Sequence, residues 1–290
     1  MTIRVGISGW NYPPWRKVFY PEGLPQKREL EYASSKLSSI EINGSFYALQ
    51  LPSSFERWYN ETPDDFVFSL KGPRFITQMK KLADVDGPLA NFFASGVLAL
   101  KEKLGPILWQ LPPTLGYDKD RLSAFFELLP RTTDAAVELA KQHEERMNDR
   151  AYLSTDEHRP IRHALEVRHS SYENEEFVDL LREHDIALVC ADTAGKWPMV
   201  DDVTANDFVY VRLHGADQLY VSGYDNQALD RWAAKVTRWA SGQTPTDGKT
   251  LSKDKAKRQP RDVFVYFDND AKVRAPFDAM GLADRVGVGK

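Results

Sequence analysis

The 290 residues predict an α/β chain folded as a single (β/α)8 TIM-type barrel with parallel strands. Three observations predict it. Eight short apolar runs recur along the chain, helix-like stretches separate most of them, and one parity of each run turns polar toward its C-terminal end. Strand–helix alternation repeated eight times favours parallel strands with crossover helices, and eight units favour closure into a barrel.

The runs come in this order. IRVGISGW (3–10) opens the chain with Ser8 and Trp10 on one parity. SIEINGSFY (39–47) sets Ile40 and Ile42 against Glu41 and Asn43. The pattern of 28–37 supplies the helix between them. FVFSLKG (66–72) brings Lys71, and PILWQLPP (106–113) brings Gln110, with a helix expected over 91–105 before it and another over 118–130 after it. HALEVRH (163–169) opposes Leu165 and Val167 to Ala164, Glu166 and Arg168. IALVCADT (186–193), preceded by a helix over 174–185, brings Asp192. FVYVRLHG (208–215) sets Val209, Val211 and Leu213 against Tyr210, Arg212 and His214. After a helix over 226–240, VFVYFDND (263–270) sets Val263, Val265 and Phe267 against Phe264, Tyr266 and Asp268.

Side chains alternate faces along a strand, so in a barrel one parity meets the helices and the other fills the interior. Ten residues are therefore expected to converge at one barrel end: Glu41, Asn43, Lys71, Gln110, Glu166, Arg168, Asp192, Arg212, His214 and Asp268. Two segments break the rhythm. Residues 131–161 add a helical insertion between strands four and five. Residues 241–261 read as a polar, lysine-rich, solvated loop on the bottom face.

Composition narrows the function classes. A net charge of −4 and a pI near 5.9 argue against a protein that coats nucleic acid or anionic membranes non-specifically. One cysteine, Cys190, cannot form an internal disulfide, and no apolar run approaches the ~18 residues of a membrane span. The N-terminus enters a strand with no leader-like pattern, so the expectation is a cytoplasmic protein without membrane contact. No dinucleotide or P-loop motif occurs, and no nucleotide cofactor is indicated.

The inward polar set holds the ingredients of acid–base chemistry. Glu41, Glu166, Asp192, His214 and Asp268 are the candidate catalytic groups; Trp10, Asn43, Tyr47, Lys71, Gln110, Arg168, Arg212 and Asn269 are candidates for substrate or anion binding. The same residues also admit a blander reading, as ion pairs plugging the barrel. Carboxylates and one imidazole could ligate a divalent metal, but Lys71, Arg168 and Arg212 compete for them, and no HExxH or CxxC spacing is present. The basic stretch 71–81, Lys196 and the aromatics of WNYPPW (10–15) and SFY (45–47) form a second feature, a rim able to stack on a sugar or base.

GISGWNYPPWRKVFYP, EINGSFYALQLPSSFERW, FSLKGPRFITQMKKL, LGPILWQLPP, LEVRHSSY, ADTAG, VRLHG and YFDND, in that order, resemble the YecE-like family, domain of unknown function 72. The resemblance spans nearly the whole chain. It implies a single TIM-barrel domain over 1–290 and no established reaction. Gln78 stands where relatives often carry histidine, so a role for an imidazole there does not transfer.

The expected function is enzymatic, by general acid–base catalysis on an anionic substrate that bears a phosphate or carboxylate, a sugar-like compound being one option. Lys71, Arg168 and Arg212 hold the anion, Glu166 or Glu41 is the base and His214 the acid. Metal-assisted phosphodiester cleavage is the enzymatic alternative, and a nucleic-acid or protein-binding rim the non-enzymatic one. If Glu166 is a wet catalytic carboxylate, Glu166→Gln is expected to leave stability nearly unchanged.

Overall fold

The computed structural model describes residues 1–254 and 256–290. Eight strands close in sequence order, each parallel to its neighbours, with the last pairing the first. They are β1 (Ile3–Ser8), β2 (Ser39–Ile42), β3 (Val67–Lys71), β4 (Leu104–Gln110), β5 (His163–Glu166), β6 (Ala187–Asp192), β7 (Phe208–Leu213) and β8 (Asp262–Phe267). All eight lie within the runs expected to be strands, apart from one or two residues at their starts.

Alternation sorts the strands into two cores. Outward residues such as Val5, Ile7, Ile40, Ile42, Leu165 and Val211 join the helices in one large apolar cluster. Inward residues Leu108, Ala164, Ala187, Val189, Ala191, Tyr210, Phe264 and Tyr266 form a separate cluster inside the barrel. Small residues on β5 and β6 make room for the large ones on β7 and β8. Tyr266 is held by Ser39 and Ser69, with Oγ atoms at 2.7 and 2.8 Å from its hydroxyl.

The helical layer comprises α1 (Glu29–Lys36), α2 (Gly44–Tyr47), α3 (Pro52–Asn60), α4 (Asp86–Ala94), α5 (Lys119–Leu128), α6 (Thr133–Ala140), α7 (Glu175–Glu183), α8 (Asn226–Ala240) and α9 (Ala275–Arg285). Side-chain caps start several of them. Asp118, Asn174 and Asp225 each accept from the amide three residues on, which fixes the helix starts just past the strand ends.

Three expectations change. The helix read over 91–105 ends at Ala94, because Gly96 at φ +109° turns the chain into a tighter 3-10 stretch, Val97–Lys103. The insertion contains the short helix α6, capped by Thr132, and a 3-10 turn, Glu145–Arg150, not one long helix. The loop 241–261 leaves the bottom of the barrel but does not stay there. No helix follows β6, and the loop rises along that flank: Lys249 pairs backbone to backbone with Asp201 at 2.8 Å, its ammonium reaches Glu173, and Leu251 N donates to Asp202 at 2.6 Å. Two buried carboxylates on the β6–β7 connection thus recruit the loop's amides. Lys255, inside it, lies outside the described residues. Among the described residues no helix is long and apolar enough to cross a membrane.

Candidate active site

Strand β7 carries Tyr210, Arg212 and, just past its end, His214, one above the other on the inward face. Arg212 is fully buried and lies at the centre of a ring of acceptors. Its Nε and Nη2 donate to Glu41 Oε2 and Oε1 at 3.1 and 2.8 Å. Nη1 donates to Glu166 Oε2 at 2.7 Å, and Nη2 also reaches Asp268 Oδ2 at 2.9 Å and Ser8 Oγ at 3.2 Å. Glu41 accepts further from the Tyr210 hydroxyl and Ser8 Oγ, both at 2.6 Å. Glu166 accepts from Gln110 Nε2 at 3.0 Å to each oxygen, and from Arg168 Nε at 3.0 Å. Burial alone would push the Glu166 carboxyl up; Arg212 and Arg168 outweigh it and hold it well below the usual carboxylate range.

This ring corrects three expected roles. Arg212 has no donor face left for a substrate anion. Glu41 and Glu166 are buried, and each accepts at least four donor contacts, which leaves neither carboxylate free to take a substrate proton in this arrangement. A guanidinium also occupies the point where these carboxylates converge, the place a divalent ion would take. Among the described residues no group of three or more His, Cys, Asp or Glu side chains is placed to hold a metal. Gln110 likewise positions Glu166 and does not face substrate. The geometry of these residues fits the plug of ion pairs, and with it the expectation for Glu166→Gln becomes a loss of stability.

Above the ring the groups are differently placed. Lys71, at the end of β3, is 8% exposed, and its Nζ sits 4.4 Å over the Phe46 ring. Among the described residues it has no carboxylate within 4.0 Å and its ammonium makes no hydrogen bond. Burial, then the Arg212 charge, lower its pKa to about 8 against the pull of Asp268, Glu41 and Glu166. Arg168 stacks on Trp197 at 4.0 Å, with Nη2 3.3 Å from the Tyr220 hydroxyl, and leaves Nη1 uncommitted among the described residues.

Two carboxyls at the end of β8 titrate in opposite directions. Burial would raise Asp268, but Arg212 and His214 bring it down to about 2. Burial and the Asp268 charge push Asp270 up to about 8. His214 Nδ1 lies 3.1 Å from Asp268 Oδ2, off the line a hydrogen bond needs, and its ring meets Tyr220 edge-on at 5.3 Å. Asn43 Oδ1, Asp270 Oδ1 and His214 Nδ1 are all buried without a hydrogen-bond partner. Tyr12 closes this side; its hydroxyl donates to the Ser8 carbonyl at 2.6 Å, and burial followed by Asp270 pushes its phenol up.

Four other candidates stand apart from the mouth. Asp192 has the wrong parity: β6 turns Ala187, Val189 and Ala191 inward, so Asp192 faces the helix side with Leu188 and Cys190. It accepts from Tyr224 Oη and Ala194 N at 3.1 and 3.2 Å. Trp10 leaves the interior because Gly9, at φ +82°, ends the alternation; its ring packs edge-on against Trp58 of α3 at 5.4 Å. Asn269 Nδ2 donates to Ser222 O and Asp278 Oδ2 at 3.0 and 2.8 Å, which ties β8 to the loop before α8 and to α9. Tyr47 is 66% exposed and lies under Arg74, beside a groove that Phe46, Pro73, Phe75 and Met79 also line. Gln78 reaches the Gln110 carbonyl at 2.6 Å, so an amide fills the place in question.

Reading by strand alternation missed Asp270, Tyr12, Trp197 and Tyr220, all of which lie beyond strand ends. The available signals were the rim motif WNYPPW, which contains Tyr12, and the second acid of the DND triplet at 268–270.

The comparisons with known proteins agree with the architecture. The chain is 25% identical to the UPF0759 protein YecE of Escherichia coli K12, over 84% of each chain. It is 23% identical to the UPF0759 protein YunF of Bacillus subtilis 168, over 93% of this chain and 89% of that one. A crystal structure of a DUF72 family protein from Thermotoga maritima superposes with a TM-score of 0.72 at 22% identity, covering 99% of this chain and 100% of the other. One from Enterococcus faecalis V583 gives 0.70 at 17%, covering 99% and 96%. Residues 4–290 match the family described as Protein of unknown function DUF72, so the same closed barrel and nearly the full length of the chain lead to one assignment: this protein belongs to the DUF72 family.

Proposed function

We propose that the chain is an enzyme that acts by general acid–base catalysis on a small, sugar-like substrate bearing a phosphate or carboxylate. The observation that carries this reading is the contrast in hydrogen-bonding capacity at the mouth. Lys71 and Arg168 keep donors uncommitted, while the cation beneath them is fully engaged. Arg168 Nη1 binds the anion, and the protonated fraction of Lys71 adds its charge. Asp270, protonated below about pH 8, is the acid. The neutral fraction of Lys71 is the base, and Asp268 stays ionised beside His214. Neighbouring acids with pKa values pushed apart are a recurrent acid–base arrangement. Substrate hydroxyls supply the donors that Asn43 Oδ1 lacks.

Thermal denaturation in phosphate tests it. A ligand bound only by the folded state stabilises by mass action, about 2.7 kcal/mol at a hundred times its Kd. Wild type is expected to gain from phosphate, and Arg168→Ala and Lys71→Met to lose most of that gain. Equal gains in all three overturn the reading. The exposed Tyr47–Arg74 pair beside the groove favours a second reading, a stacking surface for single-stranded nucleic acid. Salt-sensitive oligonucleotide binding that Tyr47→Ala abolishes is its expected sign.

A further inference from the structure

Among the described residues three lysines are buried, at positions 71, 103 and 235. Two are anchored. Lys103 Nζ donates to the carbonyls of Tyr59 and Thr62 at 2.7 and 2.8 Å, and Lys235 Nζ donates to Asp201 at 2.9 Å. Lys71 alone of the three has only an aromatic face beside its nitrogen. It stands at a strand end on the catalytic face of the barrel, next to a buried guanidinium that disfavours its protonated form.

We infer that Lys71 is a nucleophile, and that its amine condenses with the carbonyl of an aldehyde, ketone or 2-oxo acid that also bears an anionic group. The inference rests on the proposed anion site and specifies its substrate class. The nitrogen lone pair attacks the carbonyl carbon and a C–N bond forms, giving a carbinolamine. The C–O bond then breaks, and the oxygen leaves as water with the two protons the amine nitrogen carried. The product is an imine; protonated, it withdraws electrons from the adjacent carbon and acidifies its C–H bond. Arg168, free at Nη1, takes the anionic group, which leaves Lys71 available for the bond.

The environment suits the step. Lysines become nucleophilic when desolvated or set beside another cation. The charged groups facing Lys71 come from four strands: Glu41 on β2, Glu166 on β5, Arg212 on β7 and Asp268 beyond β8. With a pKa near 8 in place of 10.5, its neutral fraction at pH 7 is about 300 times that of an ordinary lysine.

Borohydride trapping tests it on the intact protein. Wild type is incubated with pyruvate or with dihydroxyacetone phosphate, reduced with cyanoborohydride, digested and mapped by mass spectrometry. The expected result is a secondary amine at Lys71 with at least one probe, well above every exposed lysine, with Lys103 and Lys235 unmodified. Added phosphate should suppress it, and Arg168→Ala should weaken it. Labelling of Lys71 no greater than that of exposed lysines with both probes overturns the inference. That failure together with intact phosphate protection removes the imine and leaves the anion site standing. Loss of both removes the site itself.

Discussion

Two layers of the same barrel interior, two residues apart along the strands, differ in how completely their polar groups are partnered. In the lower layer Glu41, Glu166 and Arg212 are buried and satisfy one another. In the upper layer Lys71 has an aromatic ring for a neighbour, and Asn43, Asp270 and His214 each carry a buried polar atom with no partner. Buried polar groups are normally hydrogen-bonded, and exceptions call for an explanation. The lower layer holds strands together, whereas the upper one keeps hydrogen-bonding capacity uncommitted within the described residues. A charged residue inside a barrel is therefore informative only once its partners are known.

The comparison breaks most visibly at Glu166. Glu166→Gln removes the charge opposite Arg212 and Arg168 and turns an amide donor toward donors. Stability is expected to fall by about 3–5 kcal/mol, as for a broken buried pair. Urea denaturation at pH 7 measures this, and an unchanged midpoint would move Glu166 back to the reactive layer.

Lys71→Met should act in the opposite direction. Its pKa is lower in the folded protein, so below about pH 8 the folded state carries a charge it would rather lose. The wild type gains stability as pH rises from about 8 toward 10.5, where the unfolded lysine also loses its proton. The variant should be more stable by about 1–2 kcal/mol at pH 7. That advantage should disappear above pH 10.5, as followed by melting temperature against pH.

Asp270→Asn sharpens the contrast within one triplet. Asp270 keeps a proton in the folded state that the unfolded chain gives up above the ordinary carboxylate value of 3.8, so its contribution declines as pH rises from there to about 8. The variant should gain on wild type through that window, reaching about 0.5–1 kcal/mol. Asp268 has the reverse sign. Its contribution is complete above the ordinary carboxylate range and is lost as pH falls toward 2. A calorimetric pH series on both Asn variants separates them, and parallel profiles would remove the assignment of opposite roles.

Strand periodicity made the barrel legible, because eight alternating runs can be assigned faces without knowing any neighbour. It also identified the ring residues on β2, β5 and β7. It could not identify their roles, since whether a carboxylate is a base or a counter-ion depends on which strand lies across the barrel. Asp192 was misplaced because β6 offers small apolar residues on one parity and Leu188, Cys190 and Asp192 on the other, and only the size of Tyr210 and Arg212 opposite decides which faces inward. Trp10 and Asp270 lie beyond strand ends, and at Gly9 a single backbone angle redirects the chain before Trp10. The flank loop was read as solvated because its anchors, Asp201 and Asp202, belong to a distant segment.

The Arg212 ring also bears on how the chain can be divided. Arg212 binds Ser8 from 204 residues away, Glu41 from 171, and Glu166 and Asp268 from 46 and 56. Such distant pairings form late in folding, after the entropy of closing long loops has been met. A polypeptide cut between β4 and β5 leaves Ser8, Glu41 and Gln110 on one piece, with the guanidinium and its other two carboxylates on the second. The first piece would bury an anion with no cation of its own. The second would present a cation with one bidentate partner missing. Neither half is expected to fold on its own, whereas the two mixed together carry a complete set of charges. Recovery of native structure on mixing, and not in either fragment alone, is the outcome expected from this one side chain, and circular dichroism of the fragments apart and together measures it.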